Sequence, residues 1–338
     1  MKVTALIMAQ TNLKTITDEE MKRAISITNK INGYFTSKVV GQQWLGFSLM
    51  VSLITNGHIL LESVPGLAKT TAAKVMIDAV QGSFARVQCT PDLLPSDIIG
   101  TQTYHMANNT FETKFGPVFA NFVLLDEINR SSAKTQSAML EAMQERSVSI
   151  GGVSYPLPDV FVVIATQNPV EQEGTYVLAE AQLDRFLLKE KVNYPTAEQE
   201  VEILRRIEAN VFKESNNVAT LDEVRFLQGL CEKVYVDDSI KRYIVDIVQA
   251  TRNTDKILPP QLSQYVAMGA STRAAIAFLE VSRAVALMNG RSFVTPDDVK
   301  AFRYGILRHR IMLNFAAVAD GVQEETIIDA IVGAVKTP

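Results

Sequence analysis

Along the first 195 residues, strand-like apolar runs alternate with helical stretches. His58–Glu62, Ala85–Gln88, Phe122–Leu125 and Val160–Thr166 read as strands. Three of them are short, continuous apolar runs, the pattern of strands buried on both faces of a parallel sheet. Between them, Thr70–Val80 and Ala133–Gln144 are rich in good helix formers. Strand and helix in alternation predict an α/β fold, a parallel sheet with helices on both faces.

Two hairpins interrupt this rhythm. Val148–Ile150 and Val153–Tyr155 flank Gly151-Gly152, a two-residue turn that supplies positive φ at low cost. Thr101–His105 and Thr110–Lys114 flank a polar tip at Asn108-Asn109. After Pro195 the period changes. Thr196-Ala-Glu-Gln199 and Thr220-Leu-Asp-Glu223 read as capping boxes that open helices. Ile240, Tyr243, Ile244, Ile247 and Val248 follow the spacing of one helix face. Thr295-Pro296-Asp297-Asp298 sets a cap, then Pro, then acids in a first turn. The expected organisation is a loosely held segment over 1–16, an α/β domain over 17–195, and a small all-helical domain over 196–338.

Composition narrows the function classes. Hydrophobic residues make up 47% of the chain and charged residues 21%, which suits a soluble globular protein with a sizeable core. The net charge is −4, without the basic surplus of a protein that clamps a nucleic-acid backbone. No apolar run reaches the roughly 18–20 residues of a membrane span, so no membrane insertion is expected. Cys89 and Cys231 stand far apart and read as reduced thiols. Together with the absence of a readable leader they point to a cytoplasmic location.

The candidate chemistry lies at the ends of the predicted strands. Residues 58–71 run from a strand through a small-residue loop into Lys-Thr and a helix. Such a loop wraps an anion with backbone N–H groups at a helix start. Lys69 can reach the β- and γ-phosphates, and the Thr70 hydroxyl can ligate Mg²⁺. The P-loop pattern has Gly where Ser63 and Ala68 stand, while Gly66 remains inside the loop. Phe122–Leu125 ends in Asp126-Glu127, two carboxylates at the carboxyl edge of the sheet. Asp126 suits a magnesium site, and Glu127 can polarise an attacking water. Asn168 ends another buried strand and can meet a phosphate or orient the water. Arg185 can stabilise charge on a transferring phosphoryl group. Arg273 opens a helix in the second domain.

In this order these segments resemble the AAA+ ATPases, and within them the MoxR family. The carriers are VVGQ at 39–42, ESVPGLAKT at 62–70, LLDEINR at 124–130, ATQNP at 165–169, EAQLDRF at 180–186 and GASTRA at 269–274. The resemblance runs from about Val39 to about His309. It implies a P-loop core with a helical lid, a homo-oligomeric ring that is usually a hexamer, and ATP with Mg²⁺ as ligands. Residue by residue, it implies that Ser63, Val64, Pro65, Gly66, Leu67, Ala68, Lys69, Thr70 and Thr71 cradle the nucleotide. Val40, Gly41 and Gln42 match the segment beside the adenine. Asp126 and Glu127 match Walker B, Asn168 sensor 1 and Arg273 the sensor 2 arginine of the lid. Arg185 matches the finger that acts on a neighbouring subunit's ATP. Ser63 departs from the family's usual Gly.

The family also implies chaperone-like work on a partner protein, often one bearing a von Willebrand factor A domain. A nucleic-acid motor and a metal-chelatase motor subunit of the same clade are the alternatives. Against the former, Val148–Tyr155 carries no Lys or Arg, and the hairpin near Asn108 has only Lys114 at its base.

Overall fold

A computed structural model describes residues 15–63, 69–107, 109–169, 175–209 and 217–338. Five parallel strands form the central sheet: β1 (Ile59–Glu62), β2 (Phe84–Gln88), β3 (Phe122–Asp126), β4 (Val162–Gln167) and β5 (Leu188–Lys191). Their order across the sheet is β5-β1-β4-β3-β2. The four strands read from the sequence are all present. β5 was not legible, because three of its four residues are charged (Leu-Lys-Glu-Lys) and carry no apolar run. It pairs with β1 from Ile59↔Leu188 to Glu62↔Lys191, at one edge of the sheet.

Alternate residues of each strand enter two separate cores. Ile59, Leu61, Phe122, Leu124, Val162 and Ile164 join one cluster. Leu60, Val123, Leu125, Phe161, Val163 and Ala165 join the other. Helices α1 (Asp18–Lys38), α2 (Gln43–Ile54) and α3 (Lys69–Asp78) cover the first face. Helix α4 (Ala133–Glu145) covers the second through Met139, Leu140 and Met143. Truncating a leucine buried on this sheet to alanine costs about 2–5 kcal/mol.

The hairpins form as expected, Gly100–His105 with Thr110–Phe115 and Ser147–Ile150 with Val153–Pro156. Gly151 and Gly152 have φ of 59° and 83°, the positive values the turn requires. The hairpins lean on one another. Phe115 meets Tyr155 edge-on at 5.1 Å, and the Thr113 and Tyr155 hydroxyls lie 3.2 Å apart.

After β5 come α5 (Ala197–Glu208), α6 (Leu221–Lys233), α7 (Asp238–Arg252), α8 (Thr272–Met288) and α9 (Glu324–Ala334), with shorter helices between. Thr196 and Thr220 both close capping boxes. Ile240, Tyr243, Ile244, Ile247 and Val248 all point inward. Two short pairings add strand to this helical part: Val266–Met268 with Met312–Leu313, and Ala219–Thr220 with Val80–Gln81. Helix α8 is buried along most of its length, and its apolar face shares the first core with α1 and α2. Among the described residues, no helix is long and apolar enough to cross a membrane.

Candidate active site

Parallel strands bring their carboxyl ends to one edge, and the acidic pair sits there. Asp126 closes β3 with a side chain only 5% exposed. Its Oδ1 accepts from the Thr70 hydroxyl at 3.1 Å and from the Thr166 hydroxyl at 3.5 Å. Thr70 lies in the first turn of α3, so a hydroxyl and a carboxylate from separate elements converge. Hard oxygen donors of this kind suit Mg²⁺, which is bound through one or two carboxylates plus substrate phosphates.

Glu127 leaves the strand in the left-handed region, with φ 57° and ψ 53°. That conformation costs a non-glycine residue of order 1–2 kcal/mol. Its backbone N–H donates to Thr166 Oγ1 at 2.9 Å, which helps hold the turn. The two carboxylates therefore take different partners. Glu127 Oε2 accepts from Gln88 Nε2 at 3.2 Å and pairs with Arg130 Nε at 3.1 Å. Asn168 is 1% exposed beyond the end of β4, and its carbonyl accepts from Asn129 Nδ2 at 3.4 Å.

Ser63 is buried at the end of β1, and its N–H donates to the Gln167 carbonyl at 3.2 Å. Val64, Pro65, Gly66, Leu67 and Ala68 lie outside the described residues, as does the side chain of Lys69. Thr71, the third residue of α3, is exposed. Val40, Gly41 and Gln42 are half-buried between α1 and α2. Gly41 has φ 73°, and a Cβ there would strike the Gln199 side chain of α5. Gln42 Nε2 donates to the Asn193 carbonyl at 3.1 Å, tying this segment to the chain after β5.

The arginines gather at the other edge. Arg185 and Arg273 line one cavity of about 500 Å³ together with His58, Arg146, Glu280 and Arg310. His58 and Leu187 precede β1 and β5, so this cavity opens at the amino ends of the strands. Arg273 therefore lines the same cavity as Arg185, at the edge opposite the Thr70–Asp126 pair. Its Nη1 lies 3.6 Å from Asp184 Oδ2, and its Nη2 donates to Gln144 Oε1 at 3.4 Å.

Arg310 builds this edge and carries no sequence motif. Its side chain is 2% exposed. Its Nε donates to Asp184 Oδ1 at 2.7 Å, and its other nitrogens donate to the carbonyls of Asp184, Phe186, Leu187 and Ile306. Burial pulls its pKa down and the Asp184 carboxylate opposes that. Asp184 also accepts from Ser271 Oγ at 2.7 Å, joining the loop that carries Arg185 to the start of α8.

Two of the three histidines, His58 and His309, are buried and structural. His58 Nδ1 accepts from the Val163 N–H at 3.0 Å, and Nε2 faces the Met143 carbonyl at 3.2 Å. Burial, and then the Arg146 charge, lowers its pKa to about 3. His309 faces the Phe186 carbonyl at 3.1 Å, and burial takes its pKa well below the usual value. Cys89 and Cys231 are free and buried, and burial raises both thiols to about 12.

The family pattern of the ATPase family associated with various cellular activities (AAA) matches residues 58–188, and that of the AAA lid domain matches residues 262–331. A parallel core with the acidic pair at its carboxyl edge, followed by this lid, makes the chain an AAA+ ATPase in class. Chaperone MoxR1 of Mycobacterium tuberculosis is 45% identical over 89% of this chain and 79% of its own length. The uncharacterized protein YeaC of Bacillus subtilis is 43% identical over 89% and 91%. A candidate ATPase from Cytophaga hutchinsonii, solved by crystallography, superposes with a TM-score of 0.87 at 42% identity, covering 95% of this chain and 98% of that one. The chain belongs to the MoxR family of AAA+ ATPases.

Proposed function

We propose that this protein hydrolyses ATP to ADP and phosphate with Mg²⁺, and uses the cycle to remodel or activate a partner protein. The observation that carries the reading is the contact of Thr70 Oγ1 with Asp126 Oδ1 at 3.1 Å, beside a Glu127 carboxylate directed elsewhere. On this reading residues 17–195 form the nucleotide domain and residues 196–338 the lid. Thr70 and Asp126 hold Mg²⁺, which supplies Lewis acidity toward the β- and γ-phosphates. The segment from Ser63 to Thr71 cradles the phosphates, with Lys69 as their cation. Val40, Gly41 and Gln42 border the base. Glu127 takes the proton of the attacking water, and Asn168 orients it.

Arg185 and Arg273 line a cavity at the amino ends of the strands, whereas Thr70 and Asp126 meet at their carboxyl ends. From His58 to Ser63 the chain climbs five strand residues, about 16 Å. Both arginines therefore face a neighbour's nucleotide in a homo-oligomeric ring, a hexamer by family resemblance. On this reading Arg273 acts on the neighbour's γ-phosphate rather than on its own subunit's nucleotide. A partner with a von Willebrand factor A domain follows from the same resemblance.

Phosphate release is the test. Glu127→Gln is expected to lower it by about 10²–10⁴-fold, the usual weight of a general base, while ATP stays bound. Absence of Mg²⁺-dependent phosphate release from the unaltered protein, under conditions where it assembles, removes the proposal. The same variant with ATP should retain the partner in a pull-down.

A further inference from the structure

The carboxylate assigned to the metal already carries a cation. Arg86 Nε lies 2.6 Å from Asp126 Oδ2. The two oxygens of Asp126 are treated differently. Among the described residues, Oδ1 receives neutral hydroxyls, from Thr70 and Thr166. Oδ2 receives a full charge. A carboxylate as buried as this one is costly without a counter-charge. Arg86 provides it from β2, the edge strand next to β3.

The pair is lopsided. Asp126 has a side chain 5% exposed, whereas that of Arg86 is 55% exposed. The Lys189–Glu62 pair on the same sheet is different, with both side chains 14% exposed. Asp126 is enclosed by the protein, and Arg86 reaches it from the solvent side. A guanidinium keeps its charge at any ordinary pH, so it can yield the oxygen only by moving. A divalent cation bound to the same carboxylate repels it at short range. Gln88, two residues on and so on the same face of β2, donates to Glu127. One edge strand thus reaches both acids.

We infer that Arg86 is a positioning residue that occupies Asp126 Oδ2 when no divalent cation is bound and is displaced as Mg²⁺ and nucleotide enter. It keeps the buried carboxylate paired and aimed, and it raises the Mg²⁺ concentration at which the site fills. This rests on the Mg²⁺–ATP reading above.

The test is a Mg²⁺ titration of fluorescent mant-ADP binding to the full chain, comparing the unaltered protein with Arg86→Gln and Arg86→Lys, each repeated in EDTA. Direct Mn²⁺ binding without nucleotide gives a second readout. Arg86→Gln should lower the half-saturating Mg²⁺ and the Mn²⁺ dissociation constant about fivefold, the weight of one ion pair with a half-exposed member. Arg86→Lys, which keeps the charge, should stay near the unaltered protein, and affinity in EDTA should be the same in all three. An unchanged or higher midpoint in Arg86→Gln overturns the inference. So does a matching loss of affinity in EDTA, which would make Arg86 a phosphate ligand. If the unaltered protein binds mant-ADP without regard to Mg²⁺, the reading of the site falls first and the inference with it.

Discussion

The two edges of the sheet differ in what their charges do. At the carboxyl edge, acids and hydroxyls meet half-exposed cations: Arg86 on Asp126 and Arg130 on Glu127. At the amino edge, the charges that hold the structure are locked away. Arg310 is 2% exposed and spends its donors on Asp184 and on four carbonyls. Arg185 and Arg273 remain beside a cavity that those contacts shape. The contrast teaches that at one edge the cations rest on the acids themselves, and at the other a buried arginine braces the loop that carries Arg185.

The sharpest way to break this comparison is to mix subunits. Loss of an arginine that stabilises the transferring phosphoryl group costs about 10³-fold or more in rate. Arg185→Ala and Arg273→Ala should each recover activity when mixed with Lys69→Ala subunits, because the defects lie on opposite edges. Mixed with one another they should recover none. Recovery in that last mixture, measured as phosphate release, would place the two arginines in different sites.

A smaller effect sharpens the account of the amino edge. Asp184→Ala leaves Arg310 buried without its carboxylate. Breaking one side of a buried pair costs about 3–5 kcal/mol. Denaturant unfolding should show a loss toward the lower end, since Arg310 keeps its carbonyls, and phosphate release should fall as Arg185 loses its support. Unchanged stability would mean that the carbonyls alone hold Arg310.

The smallest effect depends on pH. His58 has a native pKa lowered to about 3 from an ordinary 6.5. Its neutral form is the folded one, so its contribution is complete above pH 6.5. As pH falls toward 3 the unfolded chain takes up the proton first, and stability drops by up to about 1.4 kcal/mol per unit. Burial raises Glu190 and Glu280, which act in the opposite sense. The clean measurement is therefore the difference in unfolding free energy between the unaltered protein and His58→Gln. That difference should shrink from pH 7 to pH 5, and a constant gap would remove His58 from the acid response.

Much of the fold was legible because its signals are local. The runs ending at Glu62, Leu125 and Thr166 are apolar, since both faces of those strands are covered. The Thr196 and Thr220 boxes and the Gly151-Gly152 turn each act within four residues. β5 escaped notice because Lys189, Glu190 and Lys191 disguise a strand. Lys189 pairs with Glu62, while Glu190 meets Ser48 and Arg308 in the interior. At the site, Thr70, Asp126, Glu127 and Asn168 were legible as polar ends of apolar runs. Arg86, Gln88 and Asp184 were not recognised as their partners or supports, and neither was Arg310. Their contacts span from 39 to 126 residues of chain, and no short pattern encodes them.

The sequence by itself determined which segments are strands and helices, and which family the chain resembles, because periodicity and capping depend on near neighbours. Only the tertiary structure decided the strand order, the cation resting on Asp126 and the cavity that Arg273 and Arg185 share. Those depend on which strand ends share an edge. That is fixed by how the apolar faces pack, and packing joins residues far apart in the chain.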